Sequence, residues 1–168
     1  MRIYLGATLS ELAHLRDDGI VPAGFTAHAV TPALREWYTE GDLDELEHAA
    51  FLQAARASLQ RLAEDPEAVR LRVVLSADVA DSAVRVVAGG DEERGLVVVD
   101  ADLNLDRLAS VHVDEAQAVA DVTAAVEAWT AAMAGDEDAQ FVVDGAEGHD
   151  LLWYDVTELD AVLSLDTR

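Results

Sequence analysis

The chain contains no cysteine and no lysine, and only three prolines. Without cysteine it has no disulfide, no thiol nucleophile and no thiolate metal ligand. Without lysine, all eleven basic residues are arginine, set against 34 aspartates and glutamates for a net charge of −23. No apolar run approaches the ~20 residues of a membrane span. The opening Met1-Arg2-Ile3-Tyr4 lacks the apolar stretch of a signal peptide. A cytoplasmic protein without membrane contact is therefore the expectation. Neither GxGxxG, GxxxxGK[ST] nor GxSxG occurs, so dinucleotide, P-loop and nucleophile-elbow chemistry find no support.

What is present bounds the answer further. A composition 51% hydrophobic argues against disorder despite the charge. A length of 168 residues fits a single domain over 1–168 with a real core. The charge is uneven: residues 1–90 carry 14 acids and 8 arginines, whereas residues 91–168 carry 20 acids and 3 arginines. Such a field repels phosphate backbones and argues against direct nucleic-acid binding. It suits a protein partner with a basic surface, and it also serves solubility alone.

The organising stretch is 31–66. Thr31-Pro32 opens one helix, and Asp42 with Glu45 reads as the capping box of a second, running from 42 to 64 before Asp65-Pro66 stops it. Phe51, Leu52, Ala55, Leu59 and Leu62 share one face of that helix; Leu46, Ala50, Ala54 and Ala57 occupy nearly the opposite one. The large face is expected on a sheet and the alanine face against another helix. His48 falls in the large apolar arc, where a core histidine is the favoured reading and a tuned ligand or proton-transfer group the sharper one.

A strand followed directly by a capped helix recurs at YLGATLSELAHL, HAVTPALREWY, VHVDEAQAVADV and WYDVTELDAVL. Arg70–Leu75 reads as a central strand, 89–93 as an exposed loop, and Phe141–Val143 with Leu151–Tyr154 as paired strands around a loop from Asp144 to Asp150. Asp114 with Gln117 reads as the cap of the helix carrying Val119, Val122, Val126, Trp129 and Met133. The expected class is α/β in the looser α+β sense: a mixed sheet of five or six strands, one main layer of helices and the long central helix 42–64.

Chemistry-bearing clusters are few. Asp144, Glu147, His149 and Asp150 gather before Leu151 and form the candidate catalytic set His149, Glu147 and Asp144. His112-x-Asp114 places two side chains on one strand face, making His112, Asp114 and His149 the candidate metal ligands, although no motif such as HExxH occurs and no metal or other cofactor is expected. Asp100-x-Asp102-x-Asn104-x-Asp106 imitates a calcium loop but has Leu105 where glycine is needed and Val111 where glutamate belongs. Arg35, Trp37, Tyr38, His48 and Trp153 are the candidate binding residues, an arginine beside aromatics being suited to an anionic ligand and aromatics at helical spacing more often filling a core.

TPALREWY (31–38), AARASL (54–59), RVVLSADV (72–79), SVHVDEA (110–116) and DAQFVVDGAE…LLWY (138–154) together resemble an uncharacterised family of small acidic bacterial proteins from GC-rich genomes, a domain of unknown function. The resemblance spans nearly the whole chain and implies a cytoplasmic single-domain protein with no assigned activity or cofactor. In that family an acidic residue often stands where Gly148 is here, which leaves this loop poorer in ligands. Two functions follow as expectations: a non-enzymatic binding or regulatory module acting through protein contacts, homodimerisation included, or a metal- or acid–base-dependent enzyme of small molecules built on the His149, Glu147 and Asp144 loop.

Overall fold

Local signals start most of the elements. In the computed structural model, which describes residues 1–88, 90 and 93–167, strand β1 (Arg2–Ala7) leads into helix α1 (Leu9–Asp18) through a capping box between Thr8 and Glu11. Gly19, at φ 75°, ends that helix in the left-handed conformation glycine adopts without strain. Strands β2 (Ile20–Val21) and β3 (Phe25–His28) follow. Thr31 caps α2 (Pro32–Trp37), and the reciprocal Asp42–Glu45 box opens the long helix α3 (Leu43–Glu64). Next come β4 (Val73–Asp78), β5 (Val84–Val86), β6 (Leu96–Val99), β7 (Leu103–Asn104) and β8 (Leu108–Asp114). Helices α4 (Val119–Met133) and α5 (Glu137–Glu147), strand β9 (Leu151–Tyr154) and helix α6 (Leu159–Leu163) complete the order. Gly89, Asp91 and Glu92, part of the loop expected at 89–93, lie outside the described residues.

The expected mixture of helix and sheet and the long 42–64 helix are both present. The sheet is larger and simpler in direction than expected: seven strands in the order β5-β6-β3-β1-β4-β8-β9, every pairing antiparallel, with β2 and β7 forming a separate two-stranded ribbon. Helices cover both faces rather than one. Ile3, Leu5, Val73, Leu75, Val111 and Val113 pack with Leu9, Leu12 and Leu15 of α1 and with Leu159 and Val162 of α6. Tyr4 and Val74 point the other way, toward Leu46, Ala50 and Ala54 of α3. Period-two alternation along β1, β4 and β8 divides the two faces.

Two further differences have clear causes. Phe141–Val143 is helical, because Asp136 caps α5 by accepting from the Ala139 amide, and capping outweighs the β preference of a three-residue run. Asp144 and Glu147 therefore lie on a helix, not in a loop. The two faces of α3 are also exchanged over much of its length: its alanines rest on the sheet, while Leu59 and Leu62 pack with Val122 and Ala125 of α4, and Phe51 keeps the expected contact with the sheet at Tyr4 and His112. Gly6 explains the exchange. A Cβ placed there would lie 2.3 Å from the Ala54 carbonyl oxygen and 2.6 Å from the Ser58 amide nitrogen, so helix backbone rests directly on strand backbone. Only small residues on α3 permit that approach. Ser58 fixes the register by donating to the Ala7 carbonyl at 2.6 Å and accepting from the Val73 amide at 2.9 Å.

Gly6→Val should destabilise the fold by at least about 2 kcal/mol, since the obstructing atoms are backbone and cannot repack. Urea denaturation of the two proteins measures this; an unchanged midpoint would contradict the contact.

Candidate functional site

Strand register builds the floor of an open groove beside α3. Tyr4 pairs with Ser76, and Ser76 with Ser110, giving one row across β1, β4 and β8. The next row runs Gly6, Val74, His112 and Trp153, ending on β9. Serines at two floor positions leave depth that larger side chains would fill. The first half of α3 supplies the facing wall with Asp44, Glu47, His48 and Phe51, and Asp150, Leu151 and Trp153 close the side toward β9. The groove encloses about 520 Å³.

Its rings are arranged in contact. Phe51 meets Tyr4 edge-on at 5.9 Å between centroids and His112 at 4.8 Å, and it stacks with His48 at 6.2 Å. Beneath them Ser76 Oγ lies 2.5 Å from Ser110 Oγ, which lies 3.0 Å from His112 Nε2. Burial lowers the His112 pKa, so the imidazole is uncharged at neutral pH and its Nε2 can accept from the Ser110 hydroxyl. Burial, and then the charge of Glu47, push the Tyr4 phenol up to about 12. Tyr4 therefore stays protonated and donates to Glu47 at a long 3.5 Å. Among the described residues Arg2 is the one guanidinium lining the groove, and Asp78 already holds it through two bonds of 2.8 and 2.9 Å. Around the rings the groove presents the carboxylates of Asp44, Glu47 and Asp150.

The structure thus brings together His48, His112 and Trp153 among the residues singled out from sequence. His48 corrects an expectation: it is exposed in the groove rather than buried in the core, because α3 turns its alanines to the sheet. A second open recess, about 870 Å³, shares Asp44 and His48 and holds Trp37, Tyr38 and Leu52. Arg94 stacks on the Trp37 ring at 3.7 Å. Arg35 lies exposed on α2 and lines neither recess.

The acidic loop is divided among different partners. His149 Nε2 lies 2.6 Å from Asp121 Oδ2, whereas Glu147 and Asp144 pair with Arg56 at 2.8 and 3.7 Å. Asp114 does not cap α4, which begins after a short turn without a side-chain cap. Instead it forms a buried ion pair with Arg72, their side chains 0% and 2% exposed. Arg72 reaches both Asp114 oxygens and also donates to the His149 carbonyl at 2.9 Å, tying β4 and β8 to the entry of β9. Among the described residues no three of His, Asp and Glu form a group able to hold a metal ion, and no helix is long and apolar enough to cross a membrane. Sequence reasoning missed Tyr4, Glu47, Phe51, Ser76 and Ser110; the Ser110-x-His112-x-Asp114 alternation was the one legible hint.

A family model described as a family of unknown function (DUF6912) matches residues 1–163. No curated protein and no solved structure matches.

On the Tyr4 row His28 is buried with its Nδ1 unpartnered, and desolvation lowers its pKa from 6.5 to about 4. The unfolded chain takes up a proton that folded His28 refuses, so this stability is complete above pH 6.5 and is lost as pH falls toward 4. The loss is about 3 kcal/mol. His28→Gln should flatten the stability profile between pH 7 and pH 4; denaturation midpoints across that range measure it, and an unchanged slope would contradict the assignment.

Proposed function

The chain belongs to the DUF6912 family, whose function is unknown, and we propose that it is a non-enzymatic binding module that docks a protein partner through basic side chains. One observation carries this reading: aromatic rings and carboxylates line the same groove, and the one guanidinium that lines it among the described residues is already engaged by Asp78. A guanidinium laid on Trp153, 60% exposed, would share the groove with the carboxylates of Asp150, Glu47 and Asp44. Arg94 on Trp37 is the same pairing made within the chain. The net charge of −23 adds long-range attraction that speeds the encounter. The reading treats 1–168 as a single domain. A homodimer through this surface is disfavoured, because it would oppose like charges.

A second reading, an acid–base enzyme of small molecules, draws on the Ser76–Ser110–His112 chain, with His112 in the role first sought at His149. No carboxylate among the described residues hydrogen-bonds His112 to orient it, and the groove is open along its length. Both features weigh toward binding rather than catalysis.

Calorimetric titration with an arginine-rich peptide, against a neutral peptide of equal length, tests the proposal. The arginine peptide should bind with an affinity that falls as salt rises. Trp153→Ala should weaken it roughly fivefold, the equivalent of about 1 kcal/mol of cation–π contact. Binding that responds to salt but is indifferent to Trp153→Ala would place the contact outside the groove and overturn the reading.

A further inference from the structure

β9 ends the seven-stranded sheet and is four residues long, Leu151-Leu152-Trp153-Tyr154. Its inner side pairs with β8 from Val111 to Asp114. Among the described residues, no backbone hydrogen bond outside that ladder engages Leu151–Tyr154, so the outward amides and carbonyls of β9 have no backbone partner there. Edge strands are commonly protected by a lysine, a proline, a bulge or a covering element. β9 has no basic residue and no proline, its register against β8 is unbroken, and Leu152 and Trp153 are exposed. At the opposite edge β5 carries Arg85, paired with Asp100.

Chemistry at the two ends of β9 selects the occupant. Asp150 precedes the strand and Asp155 follows it, and hydrogen bonds from Thr157 hold the Asp155 carboxyl below its ordinary pKa. A second copy would bring the same carboxylates and another charge of −23 to this edge, whereas a basic segment meets complementary charge.

We propose that an extended basic segment of the partner adds to β9 as an eighth strand of the sheet. This rests on the basic-partner reading above and supplies its binding mode. Trp153, in register with His112, and Leu151, packed toward α3, lie on the groove face of β9; Leu152 and Tyr154 lie on the other. A strand added about 4.8 Å away continues that alternation. Every second side chain of the added segment then enters the groove beside Trp153, Asp150 and Glu47, and those positions take arginine or lysine. The intervening positions lie along Leu152 and Tyr154 and take apolar residues.

The test compares the peptide acetyl-Arg-Val-Arg-Val-Arg-Val-amide with the same peptide N-methylated at every residue, which keeps charge and side chains but removes the backbone donors. The unmethylated peptide should bind and slow exchange of the outward β9 amides at least tenfold by NMR, and methylation should weaken binding at least tenfold. Equal binding of both peptides with no slowing at β9 would overturn strand addition and leave basic docking standing. Binding of neither would overturn both readings. A peptide-free dimer with slowed β9 amides would give the edge to a second copy and overturn the proposal.

Discussion

The backbone-to-backbone contact between Gly6 and the Ala54–Ser58 segment of α3 sets the position of everything on that face of the sheet. It forces small residues along the contacting side of the helix and sends the larger Leu59 and Leu62 toward α4. Ser58 then locks the helix to the ends of β1 and β4 through two hydrogen bonds, fixing its register as well as its height. With that end of α3 pinned, the side chains of its first half face a fixed row of strand residues. The groove follows from this arrangement: Phe51 reaches Tyr4 and His112, while Ser76 and Ser110 are too small to fill the space below.

A second constraint holds the far side. The Arg72–Asp114 pair is nearly inaccessible to water, and such a pair is tolerated only where its remaining donors are satisfied. Arg72 meets that demand by donating to the His149 carbonyl, which anchors the entry to β9 and sets where Trp153 stands. Removing one partner would leave a buried charge uncompensated and cost about 3–5 kcal/mol. Of the residues that invited a metal reading, Asp114 is held in this buried pair and His149 contributes its backbone carbonyl to it. The groove they help to place combines rings, carboxylates and a terminal strand, a combination suited to holding an extended cationic chain.

Elements governed by short-range chemistry were legible in the sequence. Thr8, Thr31 and Asp42 cap helices as their spacing implies, and a helix follows the strand in all four strand-then-helix units, although the one after β8 lacks the side-chain cap expected from Asp114. Elements decided by distant residues were not. Phe141–Val143 is the exception among local elements: it reads as strand in isolation, yet the nearby cap at Asp136 makes it helix. His48 reads as core because periodicity shows that α3 has two apolar faces, not which one meets the sheet; Gly6, more than forty positions away, decides that. The groove itself depends on strand register, which aligns Tyr4, Ser76 and Ser110 from three separate segments. No spacing within any one segment encodes that row, and serine on a strand carries no distinctive signal.

The central claim is that this groove receives a cation on Trp153, among the carboxylates that line it. A crystal structure of the chain soaked with N-acetyl-arginine methylamide tests it most directly. The account predicts density for the guanidinium lying flat on the Trp153 ring, its nitrogens within hydrogen-bond distance of Glu47, Asp44 or Asp150. An empty groove, with the compound bound elsewhere on the acidic surface, would contradict it.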